Sequence, residues 1–133
     1  AIEIQKSLYD LAVINMSKNG ISGKVSLVHG DFTGSTLSSK DGLFDTVIAN
    51  PPYGGWQDFQ KRARLKKIYS GFYVKETYAL FMYKCLDLLK NGGIMSFIIP
   101  DTFLNLHMHS KLREILLTKS TINEIIWLRK EYR

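Results

Sequence analysis

The run Phe44-Asp45-Thr46-Val47-Ile48-Ala49 leads straight into Asn50-Pro51-Pro52-Tyr53, and this junction constrains the fold more than any other stretch. Its apolar and β-branched residues read as a buried strand. Each proline lacks an N–H and fixes its own φ, and the residue before a proline is driven to an extended conformation. Asn50 is therefore extended, and the chain beyond it cannot continue a ladder. The strand ends in a rigid ledge that carries an amide side chain, carbonyls free of any sheet, and the face of a phenol. The amide oxygen and the Pro51 carbonyl can accept from an exocyclic NH2 while Tyr53 stacks on the ring that bears it. A purine or pyrimidine amine suits this ledge, and the C-terminal end of a strand is where open α/β sheets bind ligands.

Around this junction the periodicity predicts alternating helices and strands. Leu8, Leu11, Ala12 and Asn15 recur at helical spacing from Gln5 to Asn19, and Asn19-Gly20 supplies the stop. Ala1-Ile2-Glu3-Ile4, before that helix, reads as the end of a strand with an acid at its tip. A short strand is expected from Lys24 to His29, ending in Gly30-Asp31-Phe32, and a polar surface loop from Thr33 to Gly42. After Gly54-Gly55-Trp56 a long connection is expected through the basic residues to Tyr73. Tyr78, Phe81, Met82, Cys85, Leu86 and Leu89 keep a helical stripe that stops at Lys90-Asn91-Gly92-Gly93. Ile94 to Pro100 reads as a central strand buried on both faces, followed by a helix marked by Leu112, Ile115 and Leu116 and a strand from Ile122 to Leu128. The alternation argues for a parallel α/β sheet, and 133 residues with 45% hydrophobic content suit one domain spanning 1–133.

Net charge is +6, and its placement matters more than its size. Lys61, Arg62, Arg64, Lys66 and Lys67 stand together with no acid among them, the electrostatic footprint expected of a phosphate-backbone contact. The single cysteine, Cys85, lies among leucines and Phe81 and reads as a buried structural thiol. His29, His107 and His109 are not joined by acids or cysteine at metal-ligand spacing, so no metal is expected. Neither a nucleophile elbow nor a Ser-His-Asp order is readable. With no leader and no membrane-length apolar run in these residues, a soluble cytoplasmic protein is expected.

The three strand tips, bearing Glu3, Asp31-Phe32 and Asn50-Pro51-Pro52-Tyr53, resemble the motifs of S-adenosylmethionine-dependent adenine-N6 DNA methyltransferases. The likeness is nearest to the gamma-class enzymes of restriction-modification systems. Tyr78-Ala79-Leu80-Phe81, Leu88 to Gly93, Phe97 to Pro100, Leu112-Arg113-Glu114 and Ile122 to Ile126 extend it over essentially the whole chain. It implies a Rossmann-like class I methyltransferase sheet with flanking helices. It also implies a role for each tip. Glu3 would accept the cofactor's ribose hydroxyls, Asp31 would accept from its adenine amine, and Ile4 and Phe32 would sandwich that adenine. Asn50 and Pro51 would hold the target amine, with Pro52 stiffening the ledge. Tyr53 would stack on an adenine flipped out of double-stranded DNA. The chemistry implied is direct displacement of the sulfonium methyl by the target nitrogen.

In such enzymes a first strand with a glycine-rich turn precedes the Glu3 strand and lies between it and the Phe44 strand, and these residues include neither. The expectation is thus a partial catalytic domain with an incomplete sheet, inactive by itself, whose unpaired edges force either a rearranged sheet or a homo-oligomer made by strand exchange. A restriction or specificity subunit or domain is the other expected partner, and no membrane is. Two other readings stand beside this one. The same tetrad serves RNA and protein methyltransferases. Alternatively, the basic segment could make a catalytically silent nucleic-acid-binding module whose five phosphate contacts give a salt slope of about −4.5.

Overall fold

The computed structural model describes residues 2–34, 44–54 and 59–128. Among the described residues, two separate pairs of parallel strands carry the architecture. In the first, β1 (Ile2–Glu3) lies beside β2 (Val28–His29), with Glu3 opposite His29. In the second, β3 (Phe44–Ala49) lies beside β4 (Leu89–Phe97), with Thr46 opposite Ile94 and Ala49 opposite Phe97. The Ile98 N–H extends that ladder by donating to the Ala49 carbonyl at 3.1 Å. The two pairs form distinct sheets. The chain is thus α/β with short parallel sheets.

Helix α1 (Lys6–Lys18) closes as its sequence predicts. Gly20 takes a φ of +64°, Ile21 N–H donates back to the Met16 carbonyl and Gly20 N–H to that of Ser17, the paired bonds of a Schellman motif. None of its residues is buried, so its apolar stripe finds no core among the described residues. The core forms instead around α3 (Thr77–Leu88), where seven of the twelve residues are buried. On one side Tyr78, Ala79 and Met82 pack with Leu112 and Leu116 of α5 (Ser110–Lys119) and with Met95 and Phe97 of β4. On the other, Leu80 packs with Leu65, Tyr69 and Val74. Between β4 and α5 lie the short α4 (Thr102–Asn105) and a 3-10 turn at His107–His109. No helix among the described residues is long and apolar enough to cross a membrane.

Several expectations are corrected. The basic stretch is a helix, α2 (Phe59–Ile68), rather than a connection. Gln60 to Lys67 are all strong helix formers with no glycine or proline, and Leu65 anchors them at full burial. Of the strand expected from Lys24, only Val28 and His29 pair. Strand β4 starts earlier than expected because the Lys90–Gly93 turn is spliced into it, with a shift in register between Phe44 and Thr46 and a φ of +79° at Gly92. Among the described residues β3 and β4 have only each other as neighbours, so β4 is not buried on both faces and β3 is not the buried strand its sequence predicts, with Ile48, Ile94 and Ile98 more than half exposed. Residues 122–128 form no strand, and Ile125, Ile126, Trp127 and Leu128 are exposed. An apolar run makes a strand only where an edge offers partners for its N–H and C=O groups. The polar loop expected from Thr33 begins with two buried residues, Thr33 and Gly34, and 35–43 lie outside the described residues, as do Ala1, Gly55 and Trp56.

Candidate active site

Pairing of β3 with β4 holds up to Ala49, and the next residue is Asn50, so the prolines fall where the ladder ends. Pro51 is buried, which anchors the ledge, whereas Asn50, Pro52 and Tyr53 are exposed. The Tyr53 hydroxyl donates to Asn50 Oδ1 at 2.9 Å. That bond fixes phenol and amide relative to each other, and it uses one of the two lone pairs of Oδ1. The other lone pair can accept from an amine.

The second constellation forms at the ends of β1 and β2. Their parallel register carries Glu3 and the Gly30-Asp31 tip to the same end of the pair, and Gly30 N–H donates to the Glu3 carbonyl at 2.9 Å. The Glu3 carboxylate accepts from the Gln5 N–H at 2.7 Å. Asp31 Oδ1 accepts from both the backbone N–H and the hydroxyl of Thr33, at 2.9 and 2.7 Å. Its other oxygen, Oδ2, lies 3.1 Å from Lys61 Nζ. Burial works to raise the Asp31 pKa, but the bonds from Thr33 and the ammonium of Lys61 outweigh it, and the carboxyl falls below its usual value.

The turn bearing Asp31 and Phe32 is held from outside at three successive carbonyls. Lys84 of α3 donates to the carbonyls of Phe32 and Gly34, and the Tyr69 hydroxyl donates to that of Thr33 at 3.0 Å. The Phe32 ring lies against Phe81, with centroids 4.5 Å apart, and the Lys84 ammonium sits 5.1 Å from its centre. Ile4, by contrast, is exposed. Phe32 therefore presents a ring fixed by α3.

The five basic residues do not share one face. Lys61 and Arg64, one turn apart, are directed to the Asp31 turn and with Asp31 and Gln60 line a cavity of about 300 Å3. The space over Gly34 is taken by the Arg64 guanidinium, which a Cβ there would meet at 2.8 Å. Lys66 and Lys67 are exposed in the last turn, where the helix dipole favours cations. Arg62 is partly buried.

A family model for the Eco57I restriction-modification methylase matches residues 3–133. The chain belongs to that family. It is 35% identical over 107 residues to the modification methylase CviBIII of Paramecium bursaria Chlorella virus NC1A, covering 77% of this chain and 25% of that protein. It is 26% identical over 119 residues to the methylase subunit of the type I restriction enzyme EcoEI of Escherichia coli, covering 89% and 24%. The type II methyltransferase M.HincII of Haemophilus influenzae is 29% identical over 128 residues, covering 90% and 25%. The chain thus spans about a quarter of the length of these curated relatives.

Within this Eco57I-type methylase chain, sequence reasoning missed Lys84 and Tyr69, whose contacts with the Asp31 turn cross 50 and 36 positions at their closest, and the Lys61–Asp31 pair. It also missed a buried polar network. His109 Nε2 lies 3.1 Å from the Tyr78 hydroxyl and 3.2 Å from Glu76 Oε2, and that hydroxyl lies 3.1 Å from Thr102 Oγ1. This network ties the α4–α5 corner to α3. No local spacing marks these contacts.

Proposed function

We propose that the chain supplies the target-amine site and the adenosine half of the cofactor site of a DNA methyltransferase that methylates adenine N6 within a restriction-modification system. The observation that carries this reading is the ledge, with Asn50 exposed just past the last paired residue of β3 and oriented by Tyr53.

S-adenosylmethionine is the methyl donor that the family implies, and the residues at the β1 and β2 tips suit its adenosine. Two carboxylates stand at one end of a parallel pair, one with an oxygen directed at a nitrogen donor, beside a fixed aromatic ring. Glu3 would take the ribose hydroxyls, Asp31 the adenine amine, and Phe32, with Ile4 opposite, the base. When bound, the cofactor supplies an electrophilic methyl on a sulfonium sulfur.

The remaining chemistry belongs to the ledge. An adenine amine is a poor nucleophile because its lone pair is delocalised into the ring. Asn50 Oδ1 and the Pro51 carbonyl, by accepting its two hydrogens, would favour a pyramidal nitrogen with its lone pair directed outward. The buried ring of Pro51 keeps both acceptors from yielding. Tyr53 would stack on the flipped base, recovering about 1–3 kcal/mol of the unstacking cost. Holding the amine in line contributes up to about 7–11 kcal/mol in well-oriented systems. The cations of α2 would contact DNA phosphates.

The test is methyl transfer from labelled S-adenosylmethionine to duplex DNA, RNA and protein acceptors, with Asn50→Ala alongside. Transfer to duplex adenine that disappears in Asn50→Ala while cofactor binding persists is the expected result. An undiminished rate in that variant, or transfer to RNA or protein instead, would sink the assignment.

A further inference from the structure

The β1–β2 pair carries the acids read as the adenosine site and the β3–β4 pair carries the ledge, and among the described residues no ladder joins the two sheets. In a continuous sheet the ladder itself would keep such tips in register. Here helix α3 touches both. Tyr78, Ala79 and Met82 pack it against Met95 and Phe97 of β4. Phe81 and Lys84, three residues apart and so on one side of the helix, meet the turn that follows β2.

The Lys84 ammonium donates to the carbonyls of Phe32 and Gly34 and lies 5.1 Å from the centre of the Phe32 ring. Bonds from a charged donor are stronger than neutral ones, and these are partly buried, which limits competition from water. The residue between, Thr33, has its carbonyl taken by the Tyr69 hydroxyl, while its own N–H and hydroxyl donate to Asp31 Oδ1. A clamp on residues 32–34 therefore reaches the Asp31 carboxylate through Thr33 and the Phe32 ring directly. Phe32 stays partly exposed, so the clamped ring keeps surface on which a base can stack.

We propose that Lys84 is a positioning residue for the adenosine site: by tying residues 32–34 to α3 it holds the Asp31 acceptor and the Phe32 ring in place before the nucleoside arrives. It also refers both to the helix that supports the sheet of the ledge. The proposal rests on the reading of Asp31 as the acceptor of the cofactor's adenine amine. Lys84 acts through these two residues and not on the ligand. Without the clamp the nucleoside has to order Asp31 and Phe32 itself, and each side chain fixed on binding lowers affinity.

The test compares adenosine with purine riboside, the same nucleoside without its amine, by calorimetric titration of the unaltered protein, Lys84→Met, Tyr69→Phe and Leu116→Val. The ratio of the two affinities reads how well an acceptor is held for the amine. General destabilisation cancels from it, because a smaller competent fraction weakens both ligands equally. A hydrogen bond to a charged group predicts a preference for adenosine of about ten- to hundredfold in the unaltered protein. Lys84→Met should lower that preference about two- to tenfold, the cost of ordering one side chain on binding. Tyr69→Phe removes one bond from the same turn without changing charge and should lower it in the same direction. Leu116→Val loosens the core between α3 and α5 and should leave it unchanged. A preference in Lys84→Met equal to that of the unaltered protein overturns the positioning role while leaving the reading of Asp31 intact. So does a fall that Tyr69→Phe does not share, which would reflect a lost charge, or one that Leu116→Val does share. No preference for adenosine in the unaltered protein, or no binding of either nucleoside, overturns the reading of Asp31 and the positioning role with it.

Discussion

Replacing Tyr69 by phenylalanine tests the clamp on the Asp31 turn with almost no change of shape. Tyr69 is 5% exposed, and its hydroxyl donates at 3.0 Å to the carbonyl of Thr33, itself 1% exposed. The variant keeps the ring within its cluster with Leu65, Val74 and Leu80 and removes only this donor. Water cannot readily take its place at so buried a residue, so the carbonyl loses a partner without regaining solvent. A buried polar group left unpaired costs about 1–3 kcal/mol. With an m value of about 2 kcal/mol per molar urea, the unfolding midpoint should fall by about 0.5–1.5 M with m unchanged. Tyr53→Phe is the control, since its hydroxyl bond to Asn50 is exposed, and it should change stability by less than about 0.5 kcal/mol. Urea unfolding followed by far-ultraviolet circular dichroism measures both. If Tyr69→Phe unfolds at the same midpoint as Tyr53→Phe, the bond to Thr33 does not hold the turn.

Alkaline pH should destabilise the fold. Burial pushes the Tyr69 hydroxyl up to about 12 and the Cys85 thiol from 9.0 to about 12, and it raises Tyr78 as well. In the window from about pH 9 to 12 the folded state therefore holds protons that the unfolded state has released. Stability is fully present below that window and is lost as pH rises through it, by at most about 1.4 kcal/mol per pH unit for each group. Urea midpoints that stay level across the window in the unaltered protein, or a decline equally steep in Tyr69→Phe, would contradict this. Amide hydrogen exchange should separate the helices: α1, with no buried residue, should exchange through local opening, while the buried residues of α3 should approach the global unfolding limit. Equal protection of the two would show that α1 is covered in solution.

What was legible in the sequence is what local chemistry decides. The proline pair truncates β3 wherever the rest of the chain goes, the Asn19-Gly20 stop closes α1 by backbone geometry alone, and the stripe of α3 is regular enough to place its core face. Helix α2 was not legible because its stabilising stripe is one buried leucine amid cations, so composition pointed to charge and concealed shape. The run from Ile122 failed for the opposite reason. Its composition favours a strand, but strand formation depends on a neighbour, which a single segment cannot reveal. In the candidate site, the tips carrying Glu3, Asp31 and Asn50 could be located because each stands at or just past the end of a strand. Thr33, two positions on, holds Asp31 locally, but the contacts from Lys61, Tyr69 and Lys84 that fix its turn come from residues 30 to 53 positions away and leave no trace in spacing.

On β3–β4, Ile48 stands opposite Ser96, and Ile94 and Ile98 flank that serine, so three isoleucines gather on one side of a two-stranded sheet, 80%, 62% and 54% exposed. Such a patch makes the chain's colloidal behaviour depend on charge. At low ionic strength the net charge of +6 keeps copies apart. Salt shortens the reach of that repulsion to about 3 Å at 1 M, and sulfate or phosphate strengthens apolar association at the same time. The protein should be most soluble in dilute buffer and should precipitate first in those salts, and Ile48→Lys should lift that limit.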